Sequence, residues 1–210
     1  MSDGTRQYFD EIAGRWDEMR KQFFGDGVRR ATMRAAAARP GMIVADVGVG
    51  TGFLAEAALD AGARVIGIDI SEAMLDRANE KFAGRPFEGR RGDTGTLPLG
   101  DGEVDAVVAN MVLHHAEDPG AAIREMTRAI KPGGMLVLTD ADAHSHEWLR
   151  SEQHDRWLGF ARADVASWFL DAGLEDVTVG DTHETCCPTS TSGTTAAISI
   201  FLARGRKPAA

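Results

Sequence analysis

One tyrosine and two cysteines stand in a chain of 210 residues. The cysteines, Cys186 and Cys187, are neighbours. Adjacent cysteines seldom close an unstrained disulfide, so no disulfide framework is expected and a reducing cytoplasm is the simplest setting. A basic run is also missing, and the formal net charge is −9. That balance argues against a phosphate-backbone footprint, and so against DNA or RNA as a partner. No uncharged apolar run approaches the roughly 20 residues of a membrane span. The stretch MSDGTRQYFDEI carries acids where a signal peptide has a basic and then an apolar segment. Apolar residues at 43% and charged residues at 26% exclude a wholly disordered chain.

Glycine, by contrast, is abundant, and it is concentrated: 15 of the 24 glycines fall within residues 41–134. Their spacing has no repeat period, so they mark turns between short elements. Strand-like apolar runs (42–48, 63–70, 86–93, 104–110 and 135–141) alternate with helical patterns at 53–62, 71–82 and from Asp118-Pro119 to Ile130. Such alternation predicts right-handed βαβ units on a parallel sheet covered on both faces. Lys131-Pro132-Gly133-Gly134 reads as the stop before the fifth strand. Ahead of this region, Tyr8, Ile12, Trp16 and Met19 form one helical face, and a second helix follows Gly27 and ends before Pro40. Behind it, a helix near 162–172 precedes two late strands, 174–180 and 196–205, separated by a loop at 181–195. Residues 206–210 read as a frayed tail.

The junction of the first strand and its helix reads Asp46-Val47-Gly48-Val49-Gly50-Thr51-Gly52. Ligands of open α/β sheets bind at such strand ends, where glycines allow close backbone approach and a helix start offers free N–H groups. A nicotinamide fingerprint starting at Gly48 would need glycine at position 53, which is Phe53, and a Gly-Lys-Ser/Thr phosphate loop is absent. Asp69 closes the second strand, where a carboxylate can accept hydrogen bonds from both hydroxyls of a ribose.

The segments DVGVGTG, GIDIS, GDTGTLPL, DAVVANMVLHHAEDP and KPGGMLVLTD resemble the ordered motifs of class I S-adenosylmethionine-dependent methyltransferases. The resemblance is to the small-molecule group that includes the ubiquinone/menaquinone C-methyltransferases. YFDEIAGRWDEM and HSHEWLRSEQHDRWLGF are also similar to methyltransferase domains fused to ArsR-type repressors, and the whole resemblance spans roughly residues 5–181. It implies a Rossmann-like, doubly wound α/β sheet of seven strands in the order 3-2-1-4-5-7-6, the last antiparallel. A helical lid at 1–40 would cover a cofactor-binding domain at 41–205. S-Adenosylmethionine would be the cofactor. Asp46, Gly48 and Gly50 would hold its methionine end, and Asp69 its ribose. Ile70 and Met74 would pack on the adenine, with Asp93 and Thr94 at its amino group. Asn110 would face the cofactor, and Tyr8 would close over it.

The implied reaction is methyl transfer to a small-molecule acceptor by in-line displacement, which asks chiefly for positioning and desolvation. His114 and His115 follow the fourth strand, and His144 and His146 follow the fifth, so His114, His144 and His146 are the candidates for base or orienter. In the quinone methyltransferases a polar residue near the position of His114 is implicated in carbon deprotonation, and this chain has histidine instead. His144-Ser145-His146-Glu147 with His154 lacks a recognised fourth ligand, so no metal is assigned. Two other readings accompany the enzyme: a cofactor-sensing regulatory protein without turnover, and methylation of a thiol or metalloid through Cys186 and Cys187. The acceptor atom is open, as is the choice between monomer and homodimer.

Overall fold

The structure, a computed structural model, describes residues 3–209. Three helices lead the chain: α1 (Asp3–Ile12), α2 (Trp16–Phe23) and α3 (Asp26–Ala36). The face expected to be one continuous helix is interrupted at Ala13–Arg15 by a single 3₁₀ turn. There follow β1 (Ile43–Val47), α4 (Phe53–Asp60), β2 (Arg64–Asp69), α5 (Glu72–Lys81), β3 (Phe87–Arg91), β4 (Val104–Asn110), α6 (Pro119–Ala129) and β5 (Ile130–Ala141). The chain continues with α7 (Trp148–Glu152), α8 (Arg162–Asp171), β6 (Glu175–Cys186) and β7 (Ile198–Arg206). The helix starts are written in the sequence. Ser71 accepts from the Met74 N–H at 3.1 Å, and Asp118 accepts from the Ala121 N–H at 2.9 Å with Pro119 in the first turn.

The seven strands form one sheet in the order β3-β2-β1-β4-β5-β7-β6. β7 runs antiparallel to both β5 and β6, and the other pairings are parallel. Apolar strands are explained by two-sided burial. In β1, Val44 packs into the core layer that holds Leu54, Ala58 and Leu75, while Ala45 and Val47 pack into the opposite layer with Ile68, Ile123 and Met126. The chain leaves β1 for β2 on one side and reaches β4 on the other. The strand order therefore reverses at β1, and that reversal opens a crevice at the carboxyl ends of β1 and β4. Among the described residues no helix is long and apolar enough to cross a membrane.

Three boundaries differ from the sequence reading. β5 begins at Ile130, because Ile130 pairs with Val104 before the register shifts and Met135 pairs with Ala106. Lys131-Pro132-Gly133-Gly134 thus lies within the strand, and Gly134 is required there: a Cβ would stand 2.4 Å from the Asp105 carbonyl oxygen. β6 runs on through Cys186, since Thr185 and Cys186 pair with Ser199 and Ile198 after an irregularity. The expected tail is docked through Lys207. Its Nζ donates to the carbonyls of Thr127, Arg128 and Ile130 at 3.0, 3.2 and 2.7 Å, where α6 ends and its unpaired carbonyls collect negative potential.

α1 and α2 lie over the crevice. Tyr8, Phe9, Trp16 and Met19 gather around Ile12, Ala13 and Met74 of α5. Two hydroxyls fasten this cover. Ser71 donates to Asp10 and Thr51 donates to Asp17, each at 2.6 Å.

Candidate active site

The turn after β1 is held open by its glycines. Gly48, Gly50 and Gly52 have φ of 72°, 51° and 95°, in the left-handed region that costs other residues energy. Gly48 is also sterically forced, since a Cβ would lie 2.5 Å from Val112 Cγ2. The Gly48 and Val49 N–H groups donate to the Ile68 carbonyl at 2.8 and 3.0 Å, which ties the loop to β2. Asp69 completes the tie. One carboxylate oxygen accepts from the Gly50 N–H at 2.8 Å and the other from the Ser71 N–H at 2.9 Å. Burial raises the Asp69 carboxyl to about 6 despite these donors. Asp46 is deeper, and burial raises it to about 8; its partner is the Ala55 N–H at 2.9 Å, in the first turn of α4.

Loop, strand ends and cover enclose one cavity with about 1280 Å³ of space including its mouth. Asp46, Gly48, Gly50, Asp69, Ile70, Met74, Thr94 and Asn110 line it, as the sequence reading requires. Asp93 does not. Its carboxylate turns back to accept from the Gly95 N–H at 2.8 Å, while Gly92 and Thr94 reach the wall. Tyr8 is also off the wall, and Phe9 occupies the place expected for it. The Tyr8 hydroxyl donates to Gln153 Oε1 at 2.8 Å, and its ring lies 5.0 Å from that of His154.

Of the three histidines proposed for chemistry, His114 and His144 line the cavity and His146 does not. His144 Nδ1 accepts from the His146 backbone N–H at 3.3 Å, and burial lowers the pKa of His144. His114 is the buried one. Its Nδ1 lies 2.7 Å from Asp140 Oδ1, and its Nε2 lies 3.7 Å from Asp155 Oδ1. Burial alone would lower its pKa, but the two carboxylates outweigh burial and raise it to about 9. The His115 ring lies against that of His114, with centroids 4.1 Å apart and planes tilted by 50°. Burial and the neighbouring imidazole push its pKa well below the ordinary value.

Several lining residues were not singled out from the sequence: His115 as a site residue, Asp155 and Arg20, with Asp140 behind them. The signal available for Asp140 was a lone acid at the end of an apolar strand. Arg20 sits in α2 with its guanidinium 4.2 Å from the Phe53 ring centroid. Its Nε is buried and has no hydrogen-bond partner among the described residues. The two cysteines diverge. Cys186 is buried on the cavity wall, where burial raises its thiol to about 12, and Cys187 is only half-buried and off the wall.

A family model described as a methyltransferase domain matches residues 45–138. A 2-phytyl-1,4-naphtoquinone methyltransferase of Synechococcus elongatus is 31% identical over 191 residues, which is 82% of this chain and 82% of that protein. A demethylmenaquinone methyltransferase of Desulfitobacterium hafniense is 37% identical over 142 residues, covering 63% of this chain but only 56% of the relative. Among solved structures, a chain of the complex between the Haloferax volcanii Trm112 methyltransferase activator and the putative methyltransferase superposes with a TM-score of 0.78 at 25% identity. That match covers 95% of this chain and 97% of the other. The regulatory and thiol or metalloid readings find no support in these relatives. With the glycine loop, an aspartate at the end of β2 and the strand order in place, the chain belongs to the class I S-adenosylmethionine-dependent methyltransferases.

Proposed function

We propose that this chain transfers a methyl group from S-adenosylmethionine to a small-molecule acceptor with a largely apolar body. The observation that carries the reading is one shared cavity: the glycine loop with Asp69 lies at one part of its wall, and His114, His115 and Asp155 at another. The cofactor supplies a methyl group already activated on a sulfonium. The residues present fit such a molecule. Asp69 keeps lone pairs for two hydroxyls beyond those used by Gly50 and Ser71. Gly48 leaves the backbone close to the cavity, and the unpartnered Nε of Arg20 suits a carboxylate. Asp69, ionised above about pH 6, adds negative charge that favours a cation.

The chain's own contribution is placement and exclusion of water. Residues 3–24 act as a lid, shorter than the 1–40 read from the sequence because α3 packs into the core layer instead, with Phe9 and Trp16 on the inside of the cavity. The acceptor lies between this aromatic roof and the wall formed by Leu149, Pro188 and Ile198. Its reacting atom faces His114 and Asp155, where an imidazole and a carboxylate stand ready to orient it. The relatives named for naphthoquinone and menaquinone methylation make a fused aromatic ring an acceptor to try first. Two free thiols support a reducing cytoplasmic setting. The test is S-adenosylhomocysteine production from S-adenosylmethionine with a panel of quinols, phenols and thiols. Stimulation by an acceptor supports the proposal, and binding of S-adenosylhomocysteine without stimulation by any acceptor counts against it.

A further inference from the structure

We propose that His114, His115 and Asp155 form a binding site for a divalent transition-metal ion of the zinc type. They are the one group of this kind among the described residues, with one ligand atom from each within 4.8 Å of the others. All three side chains line the cavity, so an ion there would keep an open position toward the acceptor. Tetrahedral zinc with zinc–nitrogen distances of about 2.0–2.1 Å sets its ligand atoms roughly 3.3 Å apart, so atoms as far as 4.8 Å apart would have to close by up to about 1.5 Å.

The geometry around the three residues favours a metal over an incidental cluster. Metal-binding histidines characteristically give their second ring nitrogen to a carboxylate or a backbone carbonyl, which fixes the tautomer and aims the first nitrogen. Both histidines do this. His114 Nδ1 engages Asp140 at 2.7 Å, and His115 Nδ1 engages the His154 carbonyl at 3.2 Å. With Nδ1 so engaged, His114 directs Nε2 toward Asp155 Oδ1, 3.7 Å away, and an ion bound there would displace the proton that the two carboxylates favour on this ring. Asp140 is itself held by the Leu113 N–H at 2.9 Å and the Ala141 N–H at 2.8 Å. Asp155 comes from a distant part of the chain but is stitched in place. The Arg156 and Trp157 N–H groups donate to the His114 carbonyl at 3.1 and 3.0 Å. The donor set, two imidazoles and one carboxylate, suits zinc, iron or nickel better than magnesium or calcium.

The site stands on its own residues; its role in methylation rests on the function proposed above. An acceptor hydroxyl or thiol that coordinates the ion becomes more acidic and releases its proton to water. That oxygen or sulfur then bonds to the methyl carbon as the carbon–sulfonium bond breaks, giving the methylated acceptor and S-adenosylhomocysteine.

The test is titration of chelator-treated protein with Co²⁺, read by its ligand-field absorption, with Zn²⁺ as competitor. One ion per chain is expected, displaced by Zn²⁺. His115→Gln and Asp155→Asn should each weaken binding at least tenfold, and Asp140→Asn should weaken it about 10- to 100-fold by loosening His114. His183→Gln, on an exposed residue, should leave it unchanged. Circular dichroism checks that each variant folds. Absence of a saturable Co²⁺ band in the wild type overturns the site. Retention of the band in both His115→Gln and Asp155→Asn, or its loss in a Cys186→Ser, Cys187→Ser variant, overturns this ligand set. Calorimetry with S-adenosylhomocysteine on the same samples separates the two proposals. Cofactor binding without metal binding sinks only the metal, and metal binding without cofactor binding sinks only the methyl-transfer reading.

Discussion

The Tyr8 hydroxyl donates to Gln153 Oε1 at 2.8 Å, joining α1 to the residue that follows α7. The bond therefore links the cover of the cofactor side to the segment that shapes the acceptor side. Tyr8→Phe removes one partly buried neutral hydrogen bond, worth about 0.5–1.5 kcal/mol. The expected result is a small loss of global stability with faster amide hydrogen exchange in residues 3–23. Unchanged exchange there would mean that the apolar face and the Ser71–Asp10 and Thr51–Asp17 hydrogen bonds hold the cover without it.

If Asp69 holds the cofactor as proposed, it gives cofactor binding a pH step. Burial raises its carboxyl to about 6, so it is ionised above that pH and protonated below it. Only the ionised form accepts hydrogen bonds with both oxygens while Gly50 and Ser71 still donate to it. Affinity for S-adenosylhomocysteine should be full near pH 7.5 and should fall as the pH drops through about 6. Asp69→Asn should bind more weakly and lose that pH step. Calorimetry at a series of pH values checks both.

Gly48→Ala meets two penalties. Its φ of 72° costs a side-chain-bearing residue about 1–2 kcal/mol, and its Cβ would sit 2.5 Å from Val112 Cγ2. We expect lower thermal stability and cofactor affinity weakened tenfold or more, about 1.4 kcal/mol. Adding Val112→Ala should restore part of both, because it removes the 2.5 Å contact with Cγ2 and leaves the 2.8 Å contact with Cβ and the strain. No rescue would place the defect in the strain and that remaining contact.

The thiols should behave differently. Cys186 is buried with its thiol raised to about 12, so it carries almost no thiolate at neutral pH. Iodoacetamide at pH 8 should leave Cys186 unmodified in the native chain and modify it after denaturation, as peptide mass analysis would show. A Cys186→Ser, Cys187→Ser variant should keep its affinity for S-adenosylhomocysteine, since neither residue belongs to the glycine loop or to the end of β2.

The fold was legible because β1, β2 and β4 are apolar along most of their length and the helix after each is punctuated by glycine, Ser71 or Asp118. The cofactor side was legible for the same local reason: Gly48, Gly50 and Asp69 lie within one βαβ unit, so their spacing nearly determines their geometry. Where local pattern and long-range pairing disagree, pairing wins. Gly133 and Gly134 read as a stop, yet they continue β5, and Thr182–Cys186 read as a loop, yet they extend β6. The acceptor side was legible only in part. His114 meets Asp140 across 26 positions, and His115 meets the His154 carbonyl across 39. No spacing rule connects residues from β4, β5 and an irregular segment. Motif position also leaves open where a side chain turns: Asp93 accepts from the Gly95 N–H, and Tyr8 donates to Gln153.

The most direct measurement is isothermal titration of the purified chain with S-adenosylhomocysteine, beside Asp69→Ala. One molecule should bind per chain at micromolar concentration, and Asp69→Ala should show no saturable heat. A wild type that does not bind, or an Asp69→Ala variant that binds equally well, would contradict the assignment of this cavity to the cofactor.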